Sequence, residues 1–299
     1  MKIKHALFTA GNSSFYFDDQ QAIKNGAQLD GFIYKGKPVT PGFTSIRQAG
    51  ECVSIQLILE NGAVAVGDCA AVQYSGAGGR DPLFVAANFV PFLEKHIKPL
   101  LEGRSVDEFL LNARFFDEVT IEGKQLHTAI RYGLSQALLD ATALATGRLK
   151  AEVVCDEWHL PVIAESIPLF GQSGDDRYIA VDKMIVKGVD VLPHGLINNV
   201  DEKLGRNGEK LREYVSWLAK RIADLRVDPN YKPNLHIDVY GTIGLIFDKD
   251  PIRCAEYIAS LQEQAGDLEL YIEGPVDAGN KHDQIRLLTE ITHHLKKLG

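Results

Sequence analysis

Two acidic residues close strand-like runs in the second half of the chain. One run reads Leu235-His236-Ile237-Asp238-Val239, the other Leu268-Glu269-Leu270-Tyr271-Ile272-Glu273-Gly274. Side chains alternate along a strand, so Leu235, Ile237 and Val239 share one face and Leu268, Leu270 and Ile272 share another. Asp238 and Glu273 then point to the opposite side. They lie 35 residues apart in the sequence, the length of one strand–helix unit, which makes them neighbours on consecutive strands. Two ionised carboxylates a few ångströms apart repel unless one is protonated or a cation lies between them. All-oxygen ligation suits Mg²⁺, so the pair is a candidate metal site. Taken singly, each acid could equally cap a turn; it is the shared phase on consecutive strands that favours the metal. The same period puts a third ligand at roughly residue 308, past Gly299.

Other groups have less specific signatures. His194 sits in Val191-Leu192-Pro193-His194-Gly195, where the flanking proline and glycine predict a loop able to present an imidazole for acid–base work. Gln172 ends a candidate strand, where an amide suits a substrate carboxylate or a turn cap. Lys183 and Lys187, read as part of a short strand, would share one face. The run 70–82 is rich in glycine but lacks the Gly-Lys-Ser/Thr of a phosphate loop, and it suits a flexible lid better than a nucleotide site.

Positioning these residues requires a sizeable scaffold. The 299 residues suffice for two domains or one large barrel. The net charge of −8 argues against a nucleic-acid partner. No run of eighteen or more apolar residues predicts a membrane span, and the N-terminus does not have the apolar core of a signal peptide. Cys52, Cys69, Cys155 and Cys254 form no CxxC pair and read as reduced thiols of a cytoplasmic protein.

The first half mixes element types. Cys52–Leu59 and Ala63–Cys69 flank a Glu60-Asn61-Gly62 turn and predict a hairpin. Ile130, Leu134, Ala137, Leu138, Ala141 and Leu144 predict a helix that stops at Gly147. Val153–Pro161 reads as a linker, giving an N-terminal α+β domain over 1–161. From 162 to 299 strands and helices alternate. Strands are expected at Ser166–Gln172, Lys183–Lys187, Leu235–Tyr240 and Leu268–Glu273, and helices over 211–225, Ile252–Ala265 and Ile285–Leu295. This pattern implies a parallel α/β sheet, doubly wound or closed into a barrel.

Several segments resemble the methylaspartate ammonia-lyase family of the enolase superfamily: FYFDDQ (15–20), GDCAAVQYSGAGGRDP (67–82), LHTAIRYG (126–133), QSGDDRY (172–178), LPHGLINN (192–199), HIDVYGTIG (236–244) and IEGP (272–275). The resemblance spans essentially the whole chain. It implies an enolase-like fold, an α+β capping domain followed by a (β/α)₈ TIM-type barrel, of which this chain holds about four strands and is therefore read as C-terminally truncated. It also implies Mg-assisted, reversible elimination of ammonia from 3-methylaspartate to mesaconate, in glutamate degradation. By motif, Asp238 and Glu273 are similar to two of three Mg²⁺ ligands, His194 to an acid–base residue, and Gln172 and Gln73 to substrate-contacting amides. The third ligand and the lysine base are expected on later strands. The family further implies a K⁺ activator, a cytoplasmic homodimer and a small amino-acid substrate. Two other readings compete. A racemase or dehydratase of the same superfamily usually presents Lys-x-Lys, whereas the spacing here is Lys183 to Lys187. A non-enzymatic half-barrel would expose a sheet edge prone to aggregation.

Overall fold

The structure is a computed structural model and describes residues 1–71 and 81–298. Two compact units emerge. The first comprises Met1–Asp18, residues 42–71 and Asp81–Glu165; the second comprises Asp19–Pro41 and residues 166–298.

In the first unit the expected hairpin forms between strands Arg47–Leu59 and Val64–Ala70, and Ile3–Asp18 adds antiparallel to its outer side. The turn closes because Asn61 Oδ1 accepts from the Ala63 N–H at 3.0 Å and Gly62 adopts φ +85°. Alternation buries Val53, Ile55, Leu57 and Leu59 on one face. Against that face lies the helix Thr128–Thr146, whose buried stripe runs through Ile130, Leu134, Ala137, Leu138 and Ala141. Gly147 ends it at φ +65°, as the sequence predicts.

Helix and sheet meet backbone to backbone at two glycines. A Cβ on Gly67 would collide with the Gly133 carbonyl, and one on Gly133 would lie 2.6 Å from the Cys69 nitrogen and 2.8 Å from the Asp68 carbonyl carbon. Alanine in mid-helix normally gains about 1 kcal/mol over glycine, but overpacking here costs about 1–3 kcal/mol or more because backbone cannot rotate away. Gly133→Ala is therefore expected to lower stability by about 2 kcal/mol, measured as a reduced urea midpoint at unchanged m-value.

The region read as a linker is partly helical: Lys150–Glu157 forms a helix. Its only fully buried side chain is Val153, too sparse a stripe to show in the sequence.

The second unit is built on a parallel sheet. Among the described residues its strands are Val191–Leu196, Asn234–Asp238 and Leu270–Glu273, in sequential spatial order. Phe170 and Gly174 bridge in parallel to Val191 and Gly195. Of the expected Ser166–Gln172 strand the Phe170 bridge remains, and residues 161–170 are exposed throughout. Helices Glu209–Leu225, Pro251–Ala265 and Lys281–Leu298 follow the successive strands. Leu235, Ile237 and Val239 join the apolar side chains of these helices in one core, while His236 and Asp238 take the other side. Sequential order, with polar groups on the face opposite the helices, is the winding of a barrel.

Lys183–Lys187 is not a strand. Ile179–Val186 is a helix that buries Val181, Met184 and Ile185 at i, i+3 and i+4 and leaves both lysines exposed. A short apolar run fits either period, and tertiary packing chose the helix.

Residues 19–41 are braced internally by a buried carboxylate and tied to the rest of this unit by an ion pair. Asp19 is fully buried and accepts hydrogen bonds from Ala22 N (3.2 Å), Val39 N (2.7 Å), Thr40 N (2.9 Å) and Thr40 Oγ1 (2.8 Å). Lys24 Nζ pairs with Asp277 Oδ2 at 2.8 Å, beyond the strand that ends at Glu273.

Candidate functional site

The backbone ladder places the two carboxylates. Asp238 and Glu273 are Cα partners in the parallel register of adjacent strands. Ile197 N donates to the Asp238 carbonyl at 2.8 Å, and Val239 N donates to the Glu273 carbonyl at 3.0 Å. Asp238 is buried and accepts from Tyr240 N at 3.1 Å, whereas the Glu273 side chain is 53% exposed. Gly274, at φ +60°, follows Glu273, and a Cβ there would stand 3.5 Å from Asp238 Oδ1. Glycine thus leaves open the space beside this carboxylate. Two oxygen-donor side chains in register, with room beside one of them, fit a hard divalent cation.

His194 is found inside a strand rather than on a loop. Pro193 pairs with His236 and Gly195 with Ile237, so His194 is the extra residue of a bulge and adopts φ +45°. A non-glycine residue in this region is conformationally strained, and bulges re-aim side chains beside active sites. Here the bulge brings His194 Nδ1 to 3.1 Å from His236 Nδ1 and 3.7 Å from Glu273 Oε2. His236 Nε2 lies 3.5 Å from the same Glu273 oxygen. The imidazoles stack with centroids 5.0 Å apart, and Phe170 packs edge-on against both.

His236 was not singled out from the sequence, although a signal existed. It precedes Asp238 by two and shares its face by the parity argument that located Asp238.

Burial holds both imidazoles below the usual histidine value of 6.5. For His236 the neighbouring His194 acts in the same direction, and for both residues Glu273 pulls upward. A histidine with a depressed native pKa adds stability that is complete above its unfolded pKa and is lost as pH falls toward its native value. Acidification from about pH 7 to about pH 5 is thus expected to lower the unfolding midpoint more in the parent chain than in His236→Asn, in paired urea melts.

Gln172 is exposed, but its neighbours are pinned to the His194 strand: Gly171 N donates to Val191 O and Ser173 N to Pro193 O, both at 2.8 Å. The following turn is locked by the buried Lys203, whose Nζ bonds Asp175 Oδ1 at 2.7 Å and Asn198 Oδ1 at 2.8 Å. Gln73 and most of the glycine-rich run lie outside the described residues. The structure thus brings Asp238, Glu273 and His194 together, with the Gln172 backbone tied to the same strand as His194.

Family models for the methylaspartate ammonia-lyase N-terminus and C-terminus match residues 1–159 and 161–299. Methylaspartate ammonia-lyase of Citrobacter amalonaticus is 80% identical over 299 residues, covering 100% of this chain and 72% of the relative. Its crystal structure, containing (2S,3S)-3-methylaspartic acid, superposes with TM-score 0.92, covering 100% of this chain and 73% of that one. The Mg complex of β-methylaspartase from Clostridium tetanomorphum is 55% identical with TM-score 0.84, covering 100% and 72%. A putative isomerase of Sinorhizobium meliloti shares the fold alone, at 13% identity and TM-score 0.61 over 98% of this chain and 65% of that one. The expected enolase-like fold is therefore the fold found. With both family models matched in order and a relative this similar along the entire chain, the protein belongs to the methylaspartate ammonia-lyase family.

Proposed function

We propose that residues 1–299 supply the magnesium- and substrate-binding part of a carbon–nitrogen lyase site for the reversible elimination of ammonia from 3-methylaspartate to mesaconate. The observation that carries this reading is the in-register pairing of Asp238 with Glu273, beside a strained His194. The family is one of lyases, and relatives have been crystallised with 3-methylaspartic acid and as an Mg complex. Asp238 and Glu273 would hold the Mg²⁺. When bound, that ion supplies positive charge against the anion that develops when a proton leaves carbon next to a carboxylate. His194 serves as an acid–base group on one face of the substrate, and Gln172 and Gln73 orient it through their amides.

The resemblance assigns the third ligand and the lysine base to barrel strands beyond residue 299. It also implies a K⁺ activator, a homodimer and a cytoplasmic role in glutamate degradation. Among the described residues no helix is long and apolar enough to cross a membrane. Lys183, exposed on the Ile179–Val186 helix, and Lys187, exposed at its C-cap, do not support a racemase-type lysine pair on a barrel strand.

Mg²⁺ titration of the 299-residue chain, followed by a mesaconate absorbance assay with 3-methylaspartate, tests the reading. Weak Mg²⁺ binding that is lost in Glu273→Gln is expected, with little or no product. Mg²⁺ binding indifferent to both carboxylates would overturn the site. Turnover of 3-methylaspartate by residues 1–299 would overturn the placement of the lysine base on later barrel strands.

A further inference from the structure

The cluster around His194 holds more donor chemistry than a magnesium site uses. One ligand atom from each of His194, His236 and Glu273 lies within 4.8 Å of the other two. The closest approaches are 3.1 Å between the two Nδ1 atoms, 3.7 Å from His194 Nδ1 to Glu273 Oε2, and 3.5 Å from His236 Nε2 to that same oxygen. Ligands at about 2.0–2.2 Å around a tetrahedral Zn²⁺ stand about 3.3 Å from one another. The 3.1 Å and 3.5 Å approaches use different nitrogens of His236, and with one nitrogen per ring the three ligand atoms lie within 4.8 Å of one another, so closing on an ion takes side-chain movements of up to about 1.5 Å.

We propose that His194, His236 and Glu273 form a second cation site, selective for a borderline transition ion such as Zn²⁺, that shares Glu273 with the Asp238 pair and competes with it. Two imidazoles and one carboxylate are poor donors for Mg²⁺, which prefers oxygen, and good ones for Zn²⁺, Co²⁺ or Ni²⁺. The site is built from the fold. The bulge and positive φ at His194 aim its ring at His236, the stacked rings are backed by Phe170, and Glu273 is set by the strand ladder. An ion held there draws Glu273 away from Asp238 and occupies His194 Nδ1. Zn²⁺ would therefore act as an antagonist of the magnesium site. The three-residue site does not need the lyase reading, whereas its competition with Mg²⁺ rests on the Asp238–Glu273 metal pair of that reading.

The test is Zn²⁺ affinity by competition with a chromophoric chelator, together with the visible spectrum of the Co²⁺-loaded 299-residue chain. Even losing an outer partner of a metal ligand weakens binding about 10–100-fold, so His236→Asn and His194→Asn should each weaken Zn²⁺ by at least about 10-fold. Both should also remove the intense d–d bands of nitrogen-ligated Co²⁺. Mg²⁺ should raise the apparent Zn²⁺ Kd in the parent chain and not in Asp238→Asn. Unchanged Zn²⁺ affinity in both histidine variants would overturn the site and direct attention to the adjacent His293 and His294 of the last helix, where a His293→Asn, His294→Asn double variant would then lose the ion. Additive binding of Zn²⁺ and Mg²⁺ would overturn the sharing of Glu273. Should His236→Asn melt well below the parent, His236→Gln and Glu273→Gln carry the same readouts. Failure of the lyase reading would appear instead as absent Mg²⁺ binding with the Zn²⁺ signals intact.

Discussion

Asp238→Asn is expected to weaken Mg²⁺ binding by at least about 10-fold and to make the metal-free protein slightly more stable. The two effects have one cause. Asp238 and Glu273 are directly paired on adjacent strands, and like charges so placed are destabilising by a few tenths of a kcal/mol, roughly 0.2–1. Asparagine keeps the shape and the Oδ1 acceptor that receives the Tyr240 N–H, while the like-charge repulsion goes. Loss of the charge also removes half of the anionic attraction for the cation. In the parent chain, saturating Mg²⁺ should raise stability by RT ln(1 + [L]/Kd), about 2.7 kcal/mol at a hundredfold excess over Kd, and in the variant by much less. Thermal melts with and without Mg²⁺ check both signs. A variant less stable than the parent in the absence of metal, yet equally stabilised by Mg²⁺, would show that Asp238 is a structural carboxylate.

Asp19→Ala is expected to have the largest effect on stability. Three backbone N–H groups and the Thr40 hydroxyl donate to this one fully buried carboxylate. Hydrogen bonds to a charged group contribute about 1.5–3 kcal/mol each when net, but they are not additive, and water will reach some of the freed donors. A loss of about 3 kcal/mol is expected, accompanied by faster hydrogen exchange at Val39 and Thr40. Asp19→Asn should recover only part of it, because its NH₂ turns donors toward donors. A urea series with exchange at those two amides makes the measurement, and unchanged exchange would argue that Asp19 does not brace the loop at Val39 and Thr40.

The sequence was most informative where periodicity and chemistry coincided. Period-two alternation alone put Asp238 and Glu273 on one side of consecutive strands, and the register confirms that they pair. The hairpin at Asn61-Gly62 and the helix ending at Gly147 were equally plain, because each depends on a local conformation that few residues adopt. His194 was found for its chemistry but misplaced on a loop: Pro193 and Gly195 look like breakers, and a bulge beside a neighbouring strand cannot be read from one strand's residues. The Ile179–Val186 helix and the Lys150–Glu157 helix failed for opposite reasons. The first is apolar enough to suit either period, and the second buries too little to show any. His236 was legible and overlooked.

The facing glycines at 67 and 133 limit how this protein can change over time. At most buried positions a larger side chain can be accommodated when its neighbour becomes smaller. Here each glycine abuts main chain, which has the same size in every sequence, so no exchange elsewhere makes room. The two positions are therefore closed to compensated drift, whereas the apolar stripe around them stays free to vary in pairs.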